Sequence, residues 1–240
     1  MKVLKNWNEI GVSVNRLKEA GLPLHTDPVK CWDFNNIREL ITTYVSSKEA
    51  CIVDLGCGPS VYGCLTLELL RSMGYKNLLG IDIHIPPYST VAAKLRGWAK
   101  YRTLKPYRMK KADIVATGLE SGIVDFSILL SVVEHGVDIT GLFHELNRIM
   151  KKGGIVYLST DYWEEEIIHI SDMVASGAFK NRKLHWTIFN RDSIQELIAT
   201  AIAQGFRVID EADIPRCEER PAFWNNIYYT FIAIEFEKVR

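Results

Sequence analysis

The sequence lacks any apolar run long enough to cross a membrane. One of its longest apolar stretches, residues 227–236, is far shorter than the ~20 residues that a spanning helix needs. Residues 1–7 also lack the apolar core of a secretory signal peptide. From these absences we expect a protein of the cytoplasm that does not insert into a membrane.

Cysteine and histidine are few and scattered. The five cysteines include no Cys-x-x-Cys pair, and the six histidines include no His-x-x-x-His pair. Such pairs are typical of redox dithiols and of zinc sites. An odd number of cysteines without a secretion signal also argues against a disulfide framework. We therefore expect reduced thiols and no bound metal.

The chain has no net charge and no internal boundary. It contains 29 basic and 29 acidic residues among 240, and 48% of its residues are hydrophobic. This composition excludes a disordered chain and a globally basic nucleic-acid binder. No repeat, low-complexity tract or Gly/Ser linker divides the sequence. We expect one domain over residues 1–240.

The most informative stretch that is present spans residues 51–58, Cys-Ile-Val-Asp-Leu-Gly-Cys-Gly. An apolar strand ends in Asp54 and enters a turn with glycine at positions 56 and 58, where backbone can approach a ligand closely. Apolar positions at helical spacing predict a helix over residues 61–73. Asp54 would then lie beside the ligand, where its carboxylate could accept hydrogen bonds from a cationic amine.

Further acids follow apolar segments at regular intervals. Residues 77–82 predict a second strand that ends in Asp82, whose carboxylate is suited to two ribose hydroxyls. We interpret the residues before Asp113 as a third apolar segment, which ends in this acid. Residues 124–131 predict a buried strand, followed by the tetrapeptide Val-Val-Glu-His.

This order of motifs resembles that of the class I S-adenosylmethionine-dependent methyltransferases, and in particular the small-molecule enzymes of the ubiquinone and menaquinone type. The resemblance covers residues 50–160. It implies that S-adenosyl-L-methionine is the cofactor, with Asp82 at its ribose and Asp113 at its adenine. The implied cofactor-binding residues are Asp54, Gly56, Cys57, Gly58, Asp82, Ile83, Asp113, Ile114, Ser131 and Val132.

A dinucleotide-binding fold is the main alternative for a Gly-x-Gly loop. Its fingerprint has a third glycine three residues after the second, where this chain has Val61. An acid at position 54 would repel a pyrophosphate, whereas it suits the positive sulfonium and amino groups of S-adenosylmethionine. The charge of the loop therefore favours the methyl donor.

The remaining pattern predicts the architecture. We expect an α/β fold with a Rossmann-like, seven-stranded, mostly parallel sheet, helices on both faces and an antiparallel last strand. Later elements are a helix over residues 139–150, a fifth strand over 155–160, a helix capped by Ser193 and Glu196, and strands near 206–209 and 228–236. Within the domain we distinguish an N-terminal cap (1–48), a cofactor-binding core (49–160) and an acceptor-side part (161–240).

Three segments outside the core pattern are expected to select the substrate, namely residues 1–48, 164–185 and 211–226, because ligands of such sheets bind at the carboxyl ends of the strands. We expect a small-molecule or saccharide-like acceptor. His135 is the candidate catalytic base, since its ordinary pKa of ~6.5 suits proton transfer at neutral pH. Asp161, Tyr162 and Trp163 are expected at the rim of the pocket.

One segment departs from the even charge balance. Residues 85–112 contain eight cations, no acid and four interleaved tyrosine and tryptophan residues. A solvated helix whose aromatic side chains pack inward explains this pattern better than an RNA-binding surface, because the whole chain is neutral. An RNA methyltransferase that uses residues 94–111 and a non-catalytic domain that binds S-adenosylmethionine are the two alternatives. The sequence does not indicate an oligomeric state.

The cofactor assignment generates the first prediction. S-adenosylhomocysteine, the demethylated product, should bind in the micromolar range and raise the melting temperature, because a ligand of the folded state alone stabilises it by ~2.7 kcal/mol at 100 times its Kd. This corresponds to roughly 5–10 °C. Thermal shift and calorimetry measure both quantities. NAD is the control, and NAD binding without a response to S-adenosylhomocysteine would contradict the assignment of Asp54 and the glycine loop.

Overall fold

The computed structural model describes residues 1–59, 64–165, 167–174, 183–210 and 213–240, with backbone alone for residues 171–174 and 183–184. Position 61, which entered the predicted helix and the comparison of glycine fingerprints, lies outside the described residues. The rest of that helix is observed from Leu65 to Ser72.

The described residues contain strands and helices in alternation. The strands are β1 (Lys2–Val3), β2 (Ile52–Leu55), β3 (Leu78–Asp82), β4 (Arg108–Lys111), β5 (Val124–Leu130), β6 (Met150–Tyr162), β7 (Ile168–Val174), β8 (Lys183–Ile188), β9 (Phe206–Val208), β10 (Ala222–Trp224) and β11 (Ile227–Lys238). The α-helices are α1 (Trp7–Glu19), α2 (Cys31–Tyr44), α3 (Leu65–Ser72), α4 (Pro87–Tyr101), α5 (Ile139–Ile149) and α6 (Arg191–Ala203), and short 3-10 helices span Pro28–Lys30 and Val133–His135.

The main sheet has the order β4-β3-β2-β5-β6-β11. Strands β2 to β6 are mutually parallel, and β11 pairs antiparallel to β6. Three short strands also pair antiparallel with β11, namely β10 at its start, β1 near its middle and β9 at its end. The predicted mostly parallel sheet with an antiparallel last strand is therefore confirmed, although the sheet has nine strands rather than the predicted seven.

Each face of the sheet has its own core, because neighbouring residues of a strand point to opposite faces. In β6, Ile155 and Tyr157 belong to the core that α3 covers through Leu67, whereas Val156 and Leu158 pack with Phe143 of α5 on the other face. Strands buried on both faces are continuous apolar runs, which is typical of parallel sheets. Helices thus cover both faces, as predicted.

Several elements differ from their predictions. Strand β6 extends from Met150 to Tyr162, beyond the predicted 155–160. The cap of α6 is formed by Asn190 and Ser193: the Asn190 side chain accepts from the Ser193 N–H at 2.9 Å, and the Ser193 hydroxyl accepts from the Asn190 N–H at 2.9 Å. The predicted pair of Ser193 and Glu196 is therefore wrong. Helix α1 and the antiparallel hairpin of β7 and β8 had no sequence prediction.

Helix α4 packs through small residues. Ser89, Ala93 and Gly97 recur every four residues and form its buried face. Tyr88 and Trp98, in contrast, are 46% and 54% exposed. The expectation that the aromatic side chains of this segment pack inward is therefore wrong for these two rings, because the close approach of the helix leaves space only for small side chains.

No helix of the described residues is long and apolar enough to span a membrane.

The close packing of α4 gives the second prediction. A Cβ at Gly97 would lie 2.5 Å from the Thr103 carbonyl oxygen and 2.7 Å from Pro106 Cδ, so Gly97→Ala should destabilise the fold by ~1–3 kcal/mol. Gly11 lies in α1 with nothing within 4 Å of an added Cβ. Gly11→Ala should therefore stabilise by ~0.5–1 kcal/mol. Chemical denaturation measures both, and equal stability of the two variants would contradict the described packing of α4.

Candidate cofactor and acceptor site

The glycine loop after β2 is fixed against the end of β5. Gly56 has a φ of +74°, and a Cβ there would lie 2.6 Å from Cγ2 of Val132. The backbone N–H groups of Gly56 and Cys57 donate to the Ile81 carbonyl at 2.8 and 3.1 Å. Any larger residue at position 56 would be strained and would displace Val132. The structure thus brings together the loop, β3 and the residue that follows β5.

Asp54 is a buried carboxylate beneath this loop. It is 1% exposed, and the Cys64 thiol donates to its Oδ2 at 3.2 Å. Burial raises the pKa of Asp54 to about 7, against the opposing effect of hydrogen bonds from Cys64 and Thr66. Among the described residues no cationic side chain forms an ion pair with it. A cationic amine from a ligand fits this position, because it would compensate the buried negative charge.

Asp82, at the end of β3, accepts one hydrogen bond at each carboxylate oxygen. Gly58 N donates to Oδ2 at 3.0 Å, and His84 N donates to Oδ1 at 2.8 Å. These bonds orient the carboxylate and leave further lone pairs for ribose hydroxyls. Ile83 beside it is 58% exposed. An exposed apolar side chain at a strand end is suited to pack on a flat base.

Asp113 follows β4 but not an apolar strand. The β4 sequence is Arg-Met-Lys-Lys, at the edge of the sheet, so the interpretation of an apolar stretch before Asp113 is wrong. The Asp113 carboxylate is exposed and accepts from Val115 N at 3.0 Å, which orders the turn. Ile114 is buried in the core on the side of α5. Its contribution to a cofactor site would come from the backbone.

Ser131 adopts a left-handed backbone conformation, with φ of +53°, directly after β5. This conformation is uncommon outside glycine and tends to occur at functional sites. Its N–H donates to the Ser159 carbonyl at 3.0 Å, and its hydroxyl accepts from the Lys30 ammonium group. Lys30 belongs to the N-terminal segment, so this segment reaches the predicted cofactor-binding residues.

Two buried acids lie next to Ser131. Glu134 is 1% exposed and Asp161 is 4% exposed. Thr160 Oγ1 donates to Glu134 at 2.9 Å, and the Trp186 indole N–H donates to Asp161 at 2.7 Å. Burial raises the pKa of both carboxyl groups, and the negative charge of Glu134 raises that of Asp161 further.

Lys30 is the positive charge of this group. The charge of Lys30 opposes the rise in pKa of both acids, and its ammonium also lies 3.6 Å from the Asp33 carboxylate. It lies 3.4 Å from the centre of the Phe231 ring, a cation–π contact. Lys30 is thus one cation beside three buried acids. Either the region carries a net negative charge, or some of the acids are protonated.

Aromatic side chains form a wall beside Asp161. The Trp186 ring packs edge-on against Trp224 at 4.7 Å and Tyr229 at 5.4 Å between ring centroids. Tyr229 contacts Phe231 at 5.8 Å. Lys30 and Trp224 come from two of the three segments that were expected to select the substrate, and Trp186 directly follows the other. The tertiary structure brings these segments to one place.

The predicted acceptor residues are distributed differently. His135 is exposed, and its Nδ1 lies 3.2 Å from the His185 carbonyl oxygen. Tyr162 is fully buried on the opposite face of the sheet, because β6 continues through it, so its expected position at the pocket rim is wrong. Asp161 is likewise within β6 rather than beyond it. Trp163 is half-buried, with the Arg220 guanidinium 3.6 Å from its ring centre.

Sequence reasoning missed Lys30, Trp186 and Tyr229. No local motif marks them, and their proximity to Asp161 depends on the folding of distant segments. Glu134 was visible in the Glu-His pair, but its burial was not. Within the described residues no group of three or more His, Cys, Asp or Glu side chains is arranged to hold a metal ion.

Comparison with known proteins supports the cofactor assignment. Residues 53–158 match the sequence profile of a family described as methyltransferase domain. No curated protein matches the chain by sequence. The matched range begins within β2 and ends within β6, so it contains all ten predicted cofactor-binding residues.

Solved structures share the fold at low sequence identity. A 1,6-didemethyltoxoflavin N1-methyltransferase from Burkholderia thailandensis, with bound S-adenosylhomocysteine, has a TM-score of 0.59 and 12% identity over 100% of this chain and 93% of that one. A geranyl diphosphate C-methyltransferase from Streptomyces coelicolor A3(2) has a TM-score of 0.57 and 15% identity over 91% and 86%. The cyclase SpnF has a TM-score of 0.60 and 14% identity over 97% and 94%.

The fold alone does not specify methyl transfer, since a cyclase shares it. The family match adds a methyltransferase sequence profile over residues 53–158, and the buried Asp54 and the Gly56 loop fit a cationic ligand there. These findings show a methyltransferase domain over residues 53–158 and support the assignment of the chain to the class I S-adenosylmethionine-dependent methyltransferases.

Proposed function

We propose that this methyltransferase acts on a small-molecule acceptor that binds beside Ser131, between the buried acids Glu134 and Asp161 and the ring of Trp186. The observation on which the proposal depends is the pair of buried acids at the carboxyl ends of β5 and β6, next to the residues assigned to the cofactor. A buried pair of acids is costly to the fold, which is typical of functional sites.

We assign the cofactor end to the residues around the glycine loop. Asp54 would accept from the cationic amine, and the approach of backbone at Gly56 and Gly58 would admit the methionine part. Asp82 would accept from the ribose hydroxyls. When bound, S-adenosylmethionine supplies a methyl group on a positively charged sulfur. These contacts would orient that group toward the acceptor, and orientation supplies much of the rate.

Ile83, Asp113 and Ile114 would enclose the adenine. Ile83 offers an exposed apolar surface, and the exposed Asp113 carboxylate is accessible to an amino group. Ser131 and Val132 would line the side nearest to the acceptor. Cys57 is 8% exposed and small, and its contribution would be backbone and volume.

The acceptor end fits a hydroxyl-bearing ring, such as a saccharide-like molecule. Carboxylates accept hydrogen bonds from hydroxyls, and the faces of tryptophan and tyrosine rings pack against the apolar face of a second ring. Two neighbours of this fold act on small molecules by name, the toxoflavin precursor and geranyl diphosphate. A small acceptor is consistent with a site of which Glu134, Asp161 and Trp186 are almost wholly buried.

A hydroxyl acceptor must lose its proton, and we propose that Asp161 accepts it. The carboxyl group of Asp161 is oriented by the hydrogen bond from the Trp186 indole, and burial raises its pKa. A base whose pKa is near the working pH is effective in proton transfer. His135, the candidate from the sequence, is exposed and directed toward the β8 backbone. Lys30 would stabilise the negative charge that develops on the acceptor.

The third prediction separates these two bases. Release of S-adenosylhomocysteine is measured with a panel of hydroxylated aromatic and saccharide acceptors. Asp161→Asn should lower turnover by ~10²- to 10⁴-fold, because it removes the proton acceptor. His135→Gln should stay within a few-fold of the parent protein. A large loss in His135→Gln with normal turnover in Asp161→Asn would return the role of base to His135.

Cofactor affinity is the control for both variants. Asp161→Asn and His135→Gln should bind S-adenosylhomocysteine as the parent does, whereas Asp82→Ala should weaken binding by about 1.5–3 kcal/mol through the loss of hydrogen bonds to a charged group. An unchanged Kd in Asp82→Ala would remove Asp82 from the site. Tight binding without turnover over the whole panel would contradict methyl transfer to a small molecule and favour the non-catalytic alternative.

The fourth prediction concerns pH and stability. A buried acid whose pKa is raised binds its proton more tightly in the folded state than in the unfolded state, where the ordinary pKa is 3.8. Stability should therefore fall as pH rises from about 4 through the raised pKa. Asp161→Asn removes this effect and can still accept from Trp186. We expect Asp161→Asn to melt at a higher temperature than the parent at pH 8.5 and at nearly the same temperature at pH 4.5. Each kcal/mol of added stability should raise the melting temperature by roughly 2–4 °C.

Thermal unfolding of the two proteins without ligand over this pH range measures the effect. Asp125→Asn is a suitable control, because Asp125 is only half-buried and pairs with Lys151 at 2.7 Å. It should show no gain in stability at high pH. A parallel pH dependence in the parent and in Asp161→Asn would show that the raised pKa does not belong to Asp161.

A further inference from the structure

The outer face of α4 is apolar, although it points to solvent. Its exposed large apolar side chains are Tyr88 (46% exposed), Val91 (55%), Leu95 (66%) and Trp98 (54%), and Leu104 (56%) follows the helix. The four helical positions recur at three and four residues, which places them on one stripe. Ala93 on the buried face and Leu95 on the stripe are roughly 200° apart around the helix.

This pattern reverses that of an ordinary surface helix. Such a helix buries its large apolar residues and exposes polar ones. Helix α4 instead packs on the protein through Ser89, Ala93 and Gly97, and turns its large side chains outward. Single exposed apolar residues need no explanation, but a continuous stripe indicates a surface that binds something.

Lysine and arginine residues on α4 and directly after it add positive charge to this surface. Residues 85–112 contain eight cations and no acid. Lys94, Arg102 and Lys105 are exposed and form no ion pair with a carboxylate in the described parts of the chain. The rest of the protein is acidic by the same amount, since the whole chain has no net charge. The surface thus combines an apolar stripe with local positive charge.

We propose that α4 binds to the surface of an anionic lipid bilayer, lying in the interface with its stripe among the acyl chains. Amphipathic helices with lysine and arginine beside apolar and tryptophan side chains bind membranes in this way. The charges complement the phosphate groups of anionic lipids, and each contributes to binding within a Debye length of the surface. Tryptophan and tyrosine are favoured at this depth.

Other occupants fit these observations less well. Single-stranded RNA would stack on Tyr88 and Trp98, but it offers no apolar medium for Val91 and Leu95. A second copy of the chain in a symmetric contact would place the same cations face to face, where they repel. A bilayer satisfies both the aliphatic side chains and the charges. The proposal does not depend on the identity of the acceptor.

Vesicle binding tests the proposal directly. The protein is sedimented with vesicles of phosphatidylcholine alone or with ~30% phosphatidylglycerol. We expect binding to the anionic vesicles, with little binding to the neutral ones, and release as NaCl is raised from 0.05 to 0.5 M, because salt screens the charges. Equal binding to both compositions, or no binding to either, would overturn the proposal.

Variants assign the effect to α4. Leu95→Glu with Trp98→Glu should lower the partition coefficient at least ~10-fold, since each loses apolar burial and adds a repelled charge. The matched control is Ile202→Glu on α6. Ile202 is 51% exposed, so this variant also replaces an exposed apolar side chain with a carboxylate, but away from α4. It should bind as the parent does. Lys94→Gln, Arg102→Gln and Lys105→Gln together should lower binding by roughly 100-fold, or about five-fold for each cation.

A shift in melting temperature with S-adenosylhomocysteine shows that each variant is folded, so a loss of vesicle binding is not a loss of structure. Gel retention of RNA by the parent protein without vesicle binding would overturn the proposal in favour of RNA. A dimer in sedimentation that the Leu95 and Trp98 variant dissociates, again without vesicle binding, would assign the stripe to a second copy. Failure of the acceptor panel leaves the vesicle result unaffected, so the two proposals are tested separately.

Discussion

The contact between Gly56 and Val132 is the constraint on which the site depends. The two residues lie so close together that position 56 has no space for a Cβ beside the branched side chain of Val132. Position 56 must therefore be glycine. Parallel pairing of β2 with β3 and β5 brings these ends to the same edge of the sheet. The glycine loop, Asp82 and Ser131 then converge, because each lies at the carboxyl end of one of these three strands.

Electrostatics divides the site into two ends. At the cofactor end, Asp54 is buried without a cationic partner in the described residues, so its charge is available for a cationic ligand. At the proposed acceptor end, the positive charge of Lys30 acts on both Glu134 and Asp161. Lys30 also contacts Ser131 and Phe231, so the N-terminal segment connects the two ends. A buried carboxylate such as Asp54 destabilises the folded protein when it is unpaired, but a bound ligand with a positive charge would compensate it.

Helix α4 shows how packing can expose apolar surface. A close approach through Gly97 leaves no space for large side chains on the inner face, and Thr103 and Pro106 occupy the space that a Cβ would need. The sequence places Tyr88, Val91, Leu95 and Trp98 on the remaining face. The two proposed sites therefore lie on different parts of the same α/β fold. Lipid would bind to the outer helix α4, and methyl transfer would take place at the strand ends.

The sequence by itself determined the fold class and the cofactor, and it located most of the core strands along the chain. These follow from local signals: apolar runs of strand length, an acid before Gly-x-Gly, and Asp82 at the end of the next strand. Only the tertiary structure decided the acceptor end. Lys30, Trp186 and Trp224 are distant in sequence from Asp161, and nothing local marks them. It also decided the outward face of α4 and the burial of Tyr162, because direction and burial depend on which neighbouring elements leave space, and no short stretch of sequence specifies that.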